Sequence, residues 1–321
     1  MYNARLKIMK PLVVEEAKRK FGPNVNIKQL AELKSEEDED RKESILVIGT
    51  VFKLQENKPS ILTELSEDAE LEVPREQSTV YTSENDTLVL EDETMRVKLA
   101  GEFLHPGDLV NGVVLGALGK EIVGGKFEVE DVVFSRVVGA KSEPGGVRED
   151  VSLCVMSGLE LGGEEAGWLL SAQLAADWLV GSVGSPGEQR SLASTERLVI
   201  AGNSLGAATR VKEDLDRAKY LTANTAAGSL AAVEQLDGLL VQIVGSLTTD
   251  LMPGPQDPTT AMLPQQPLHR VALRQAGLYP SLACVTNPYT CCLAGLTITT
   301  VSGESVTDLV RNSRLEVVTQ Y

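Results

Sequence analysis

The sequence contains few aromatic residues, few histidines and no long apolar run. Aromatic residues make up 4% of the 321 residues, and the histidines are His105 and His269. Aliphatic side chains must therefore fill any core. No stretch of 18 consecutive apolar residues occurs, which excludes a membrane-spanning helix. The amphipathic N-terminus also lacks the apolar stretch of a secretory signal.

A C-x-x-C motif and an excess of basic charge are absent as well. None of the four cysteines forms a C-x-x-C pair, which favours a reduced, intracellular protein. The formal net charge of −16 excludes a general attraction to duplex DNA, although it leaves a local basic patch open.

Changes in residue composition and hydrophobic periodicity divide the chain into four predicted segments. The length of the chain favours two domains. We predict an N-terminal helical segment at 1–43, a β-rich domain at 44–138, a linker at 139–150 and an α/β domain at 151–321. The linker, GAKSEPGGVRED, is rich in glycine and charge.

Strand periodicity begins at Ser44, after a helical pattern over 1–33 that is broken at FGPN (21–24). The stretches 44–53, 86–103, 108–119 and 125–137 alternate apolar and polar residues, and 86–103 has the polar turn of a hairpin. About five short strands in this length predict a small closed barrel of the OB type.

Beyond the linker, strand and helix patterns alternate. Strands are predicted at 151–156, 197–201, 248–252, 281–286 and 296–303, and helices at 165–183 and 230–244. This order predicts a largely parallel sheet, whose functional sites lie at the carboxyl ends of the strands. The loops that matter are therefore 157–163, 201–206 and 252–260.

A G-x-S-x-G motif at 202–206 makes Ser204 a candidate nucleophile. A catalytic triad would need His269 as its histidine, with Asp250 or Asp257 as its acid. The segment after the motif is heavily charged for a helix under a sheet, and the motif is common by chance in a glycine-rich chain. We therefore disfavour a serine hydrolase.

The three loops match, in order, the framework on which two-metal phosphoesterases place Asp and His ligands. The corresponding positions here hold Gly158, Glu160, Asn203, Gly206, Pro255, Gln256 and Asp257. Glycine, proline and amides cannot supply the missing negative charge, so Glu160, Asn203 and Asp257 could form at most one poor site. We predict no metal, no cofactor and no catalytic residue. A plain strand-to-helix connection is the alternative explanation of loop 201–206.

Several long stretches resemble the small (B) subunits of eukaryotic DNA polymerase delta. They include PSILTELSED, LVLEDETMRVKLAG, GKFEVEDVVF, SGLELGG, VIAGNSLG, AKYLT, DLMPGPQDPTTAMLPQQPLH and VTNPY, and the resemblance covers roughly residues 1–312. It implies an α+β fold class, in which an OB-type barrel precedes a degenerate, inactive metallophosphoesterase-like α/β domain of the calcineurin type.

The resemblance also implies a non-catalytic role in DNA replication and repair in the nucleus. In that family the barrel and the inactive domain form one platform. The platform holds the cysteine-rich C-terminal domain of the catalytic subunit and the N-terminal domain of a third, clamp-binding subunit. Contact with DNA and with the sliding clamp is then indirect, and no membrane is involved.

Two departures from the family accompany this resemblance. Family members begin with an additional segment and continue well beyond the predicted helix at 305–313, where RLEVVTQY ends this chain. We therefore expect an α/β domain that is truncated at its C-terminal end, and residues 1–140 that behave better alone than the whole chain.

Two other functions remain as alternatives. Archaeal relatives keep the metal ligands and act as nucleases, but the substitutions in the three loops argue against that activity. A binder of single-stranded DNA would need aromatic platforms and a basic groove. The predicted barrel offers Phe52, Tyr81, Phe103, Phe127 and Phe134 but no basic stripe.

Overall fold

The computed structural model describes residues 2–33, 44–58, 80–122, 125–136, 151–162, 167–206, 209 and 228–314. The chain divides into a first unit of residues 1–140 with 306–321, and a second unit of residues 141–305. Residues 306–314 therefore group with the predicted barrel and not with the α/β domain predicted at 151–321. The predicted linker lies outside the described residues.

The first unit is built on a closed five-stranded barrel. Its strands are β2 (Ile45–Leu54), β3 (Thr87–Glu91), β4 (Arg96–Ala100), β5 (Val114–Ile122) and β6 (Lys126–Phe134), and a short strand β1 (Ile27–Lys28) precedes them. They pair in the order β2-β3-β4-β6-β5, and β5 pairs back onto β2 to close the barrel. The predicted barrel is thus confirmed.

Alternating side chains fill the barrel, and a helix covers its outside. Phe127 and Leu115 are fully buried in the interior cluster. Helix α1 (Tyr2–Phe21) packs Leu6, Val13 and Ala17 against the outward side chains of β2 and β6. The predicted helix over 1–33 is correct up to Phe21. The predicted break at 21–24 is also confirmed, since Gly22 has a φ of +100° and Pro23 follows. Beyond the break the α-helix does not resume, and the chain forms β1 and a 3-10 helix at Leu30–Glu32.

The second unit contains a parallel sheet, as predicted, but the sheet has four strands, because the predicted strand at 296–303 pairs in a separate antiparallel hairpin. The strands of the sheet are β7 (Ser152–Met156), β8 (Thr195–Ala201), β9 (Thr248–Met252) and β10 (Leu282–Cys284), and they pair in that order. The helices of this unit are α2 (Gly167–Leu179), α3 (Pro186–Leu192) and α4 (Gly228–Val244). Helix α5 (Glu304–Asn312) starts at the end of this unit, and most of its residues belong to the first unit. A hairpin of β11 (Tyr289–Leu293) and β12 (Leu296–Thr300) completes the described elements.

The two faces of the parallel sheet differ in character. One face carries Leu198, Ile200 and Leu251, which form a core with α2 and α4. On β8 and β9, Arg197 donates to the buried carboxylate of Asp250 at 2.8 Å. Among the described helices, none is long and apolar enough to cross a bilayer.

Candidate functional site

The three loops singled out in the sequence meet at the carboxyl ends of β7, β8 and β9. The Gly158 N–H donates to the Gly202 carbonyl at 3.2 Å, and the Glu160 N–H donates to the Asn203 carbonyl at 3.1 Å. Leu161 and Leu205 form an isolated parallel bridge. We call residues 157–162, 201–206 and 252–260 the loop junction.

Glycine is required where the second and third loops touch. Gly202 has a φ of +87°, and a Cβ there would lie 2.9 Å from the Gly254 Cα. A Cβ on Gly254 would lie 2.5 Å from the Asn203 backbone nitrogen. The two backbones are therefore too close for side chains, which explains Gly202 in the second loop and Gly254 in the third.

Asp257 ties these two loops together from the inside. Its side chain is fully buried, its Oδ1 accepts the Leu205 N–H at 3.0 Å, and its Oδ2 accepts the Gly254 N–H at 2.8 Å. Burial raises the pKa of Asp257, and these backbone donors oppose that rise only in part. Both carboxylate oxygens are thus engaged by the protein's own backbone.

The other predicted ligand positions also belong to the junction. Asn203 adopts a left-handed φ of +51°, and its Oδ1 accepts the Gln256 N–H at 3.3 Å. Glu160 is half-buried, also with a left-handed φ, and Gly158, Gly206 and Pro255 contribute backbone only. Within the described residues, no group of three or more His, Cys, Asp or Glu side chains could hold a metal ion.

The Ser204 hydroxyl is not bonded to His269, Asp250 or Asp257. Ser204 is fully buried, and its Oγ has no hydrogen-bond partner among the described residues. His269 caps a short 3-10 helix by accepting the Val271 N–H on Nδ1. Asp250 is paired with Arg197. Since a nucleophile needs access to substrate and a base within hydrogen-bond reach, Ser204 is not arranged for attack.

Two buried amides that the sequence analysis did not single out extend the junction toward the hairpin. Gln265 is fully buried, and its Nε2 donates to the Gly254 carbonyl at 3.2 Å. Asn287 donates from Nδ2 to the Gln265 Oε1 and to the Ser302 Oγ, both at 2.7 Å. These amides lie in LPQQPLH and VTNPY, two of the stretches that resemble polymerase delta small subunits. No sequence motif in either stretch indicates that its amide is buried and hydrogen-bonded.

Comparisons with known proteins cover nearly the whole chain. The family model of the DNA polymerase delta subunit OB-fold domain matches residues 1–132, and that of the B-subunits of DNA polymerases alpha and epsilon matches residues 153–317. The chain is 36% identical to DNA polymerase delta subunit 2 of Drosophila melanogaster over 316 residues, which cover 98% of this chain and 70% of that protein.

Relatives from other organisms give similar matches. Identity is 34% to the DNA polymerase delta small subunit of Oryza sativa subsp. japonica, over 84% of this chain and 61% of the relative. It is 26% to that of Saccharomyces cerevisiae, over 97% of this chain and 64% of the relative. The aligned part of the chain therefore spans between 61% and 70% of these three relatives.

Proposed function

Since this chain belongs to the family of DNA polymerase delta small subunits, we propose that it is a non-catalytic accessory subunit of that polymerase, acting in DNA replication in the nucleus. Its second unit is proposed to be a metallophosphoesterase-like domain that has lost its chemistry. Within the polymerase, the proposed role of this subunit is that of a scaffold. It bridges the cysteine-rich C-terminal domain of the catalytic subunit and a third, clamp-binding subunit.

The hydrogen bonding of the Asp257 carboxylate is the observation that best supports a non-catalytic role. A metal-binding carboxylate must turn its oxygens toward the cation, whereas both oxygens of Asp257 accept backbone N–H groups. The neighbouring candidate ligand Asn203 likewise uses its amide oxygen on the Gln256 N–H. The junction thus supports a structural use of positions that would bind metal in an active relative.

Assembly tests the scaffold role directly. The chain is co-expressed with the polymerase delta catalytic subunit, with and without the third subunit, and each complex is purified through the catalytic subunit. We expect a ternary complex, and we expect the third subunit to be lost when this chain is omitted. Recovery of the third subunit without this chain would contradict the bridging role.

A phosphodiesterase assay tests the absence of chemistry. We expect no Mn²⁺- or Mg²⁺-dependent turnover by the wild type or by a Pro255→Asn/Gln256→His control.

We also expect Asp257→Ala to lower the free energy of unfolding of the second unit by about 1–3 kcal/mol, since several backbone donors lose their acceptor. Trp168 and Trp178 both lie in this unit, so tryptophan fluorescence follows its unfolding. Metal-dependent turnover that Asp257→Ala abolishes would favour the nuclease alternative.

A further inference from the structure

The turn before strand β5 contains the only Asn-Gly pair in the sequence, Asn111-Gly112. The Gly112 N–H donates to the Val51 carbonyl at 2.9 Å, and the Asn111 Oδ1 accepts the Lys53 N–H at 2.6 Å. Both partners lie on β2, next to the point where β5 pairs with β2 to close the barrel. The pair is therefore part of the contact that closes the barrel.

An Asn-Gly pair can react with itself. The backbone nitrogen of the glycine attacks Cγ of the preceding asparagine, and no glycine side chain hinders the approach. A bond forms between that nitrogen and Cγ, and the bond between Cγ and Nδ2 breaks. The side-chain nitrogen leaves as ammonia and takes up the proton that the backbone nitrogen loses. Water then opens the succinimide ring at either carbonyl group, which gives aspartate or isoaspartate.

The folded barrel opposes the first step of this reaction. Gly112 is buried, has a φ of +87°, and gives its N–H to Val51. The nitrogen of a succinimide carries no hydrogen, so ring closure would remove this hydrogen bond and leave the carbonyl of the buried Val51 without its donor. The bond from the Lys53 N–H also holds the side-chain amide of Asn111 on β2.

The isoaspartate product would prevent the barrel from closing as before. Isoaspartate adds one methylene to the main chain immediately before β5. At this point the Val51 N–H donates to the Val113 carbonyl at 2.7 Å, and Thr50 on β2 is in register with Val114. Because the spacing of backbone groups sets the register of paired strands, the added atom displaces β5 from these partners.

We propose that Asn111-Gly112 is a spontaneous deamidation site that is protected while the barrel is closed and reacts when the barrel opens. The reaction is not reversed when the barrel closes again. Its extent therefore accumulates with the population of the open state. The proposal does not depend on the polymerase role.

Peptide mapping by mass spectrometry tests the protection. The full chain is incubated at mildly alkaline pH, with and without guanidinium chloride above the unfolding transition. The aspartate and isoaspartate forms of each asparagine peptide are then separated and quantified. We expect Asn111 to react fastest of all asparagines in the denaturant, and at least about tenfold more slowly without it. The exposed Asn85 is the internal control, and it should react slowly in both conditions because the Asp86 side chain hinders attack.

A substitution connects the reaction to opening of the barrel. Lys53→Met keeps the backbone N–H of residue 53 but removes the counter-charge of the buried Asp86. It should raise the rate at Asn111 in native buffer at least about tenfold. Lys98→Met is the matched control, since Lys98 is exposed on β4, and it should react as the wild type does. Circular dichroism checks folding.

The wild type gives the same test without a substitution. In guanidinium chloride below the unfolding transition, the rate at Asn111 should rise in step with amide exchange in residues 45–54.

Three outcomes would overturn the proposal. One is a lack of reaction at Asn111 in the denaturant. A second is a native rate within about threefold of the rate in the denaturant, which would show that the closed barrel gives no protection. The third is a rate that stays constant while amide exchange in residues 45–54 accelerates.

Discussion

Lys53 is a fully buried lysine in the first unit. Its Nζ donates to the Thr82 Oγ1 and to the Asn312 carbonyl, at 2.5 and 2.9 Å, and lies 3.3 Å from the Asp86 Oδ2. Burial lowers the pKa of Lys53, while the hydrogen bond and the charge of Asp86 oppose that change. The ammonium is thus tolerated in the interior because three oxygens surround it.

We expect Lys53→Met to destabilise the first unit by about 3–5 kcal/mol, because Asp86 becomes a buried charge without its counter-charge. Amide hydrogen exchange in residues 45–54 measures the loss. The double variant Lys53→Met/Asp86→Leu should exchange more slowly than the single variant. If the double variant exchanges as fast as the single one, the buried charge is not the cause.

Asp92 stabilises the turn between β3 and β4. Burial raises the pKa of Asp92, but hydrogen bonds from the Thr94 and Met95 N–H groups, the Thr94 hydroxyl and the Leu30 N–H outweigh that effect and lower the pKa below its ordinary value. A lowered carboxyl pKa contributes stability that is present above the unfolded pKa of about 3.9 and is lost as the pH falls through the folded value.

We therefore expect Asp92→Asn to destabilise the first unit at pH 7 by about 1–2 kcal/mol, because an amide oxygen is a weaker acceptor than a carboxylate. The difference from the wild type should shrink as the pH falls below the unfolded pKa of about 3.9 and through the lower folded pKa, at which the carboxylate of the folded protein becomes protonated. Urea titrations monitored by hydrogen exchange at pH 7 and at acid pH test this. A pH-independent difference would contradict the charge argument.

At the scale of elements, residues 306–314 behave as part of the barrel. The Tyr81 N–H donates to the Arg311 carbonyl at 2.7 Å, and the Arg314 N–H donates to the Gly107 carbonyl at 2.9 Å. Arg314 also forms an ion pair with Asp108. Lys53 and the Tyr81 N–H thus satisfy carbonyls at the C-terminal end of α5, which a helix cannot satisfy internally.

This arrangement revises the expectation that residues 1–140 form the better isolated fragment. A chain that ends at residue 303 should show faster amide exchange in residues 45–54 and 80–86, because Lys53 and Tyr81 lose their carbonyl partners. A chain that ends at residue 314 is the control and should exchange as the full chain does. Unchanged exchange in the shorter chain would show that the segment adds nothing to the barrel.

At the scale of the whole molecule, charge argues against direct binding of DNA. The net charge is −16, and Arg96, one of the basic residues on the barrel strands, lies over the Phe52 ring and pairs with Glu91. Phe52, Phe103 and Phe134 are exposed, whereas Phe127 is buried in the barrel. The exposed rings therefore lie on a molecule whose overall charge repels phosphate.

We expect no saturable binding of a fluorescent oligothymidylate by the isolated chain up to about 10 µM protein at about 50 mM salt, measured by anisotropy. A Phe52→Ala variant is the paired control and should give the same flat curve. Tight binding by the wild type that Phe52→Ala weakens would support the single-strand-binding alternative.

Local pattern was enough to predict most of the strands. The hairpin of β3 and β4 and the strand at 248–252 follow from period-two alternation and turn residues, which depend on near neighbours only. The sequence also predicted that the three loops would meet, because parallel strands place their carboxyl ends at one edge. Strand β11 was missed, because polar and apolar residues mix within it.

Tertiary structure alone decided what the charged and amide side chains do. Asp257 binds backbone N–H groups of two loops, Asp250 pairs with Arg197, and Lys53 reaches a carbonyl 259 residues away. Sequence identifies such groups as candidates for chemistry, but their partners come from distant segments. A carboxylate becomes a ligand, a counter-ion or a backbone clamp according to which donors the folded chain brings within about 3 Å of it.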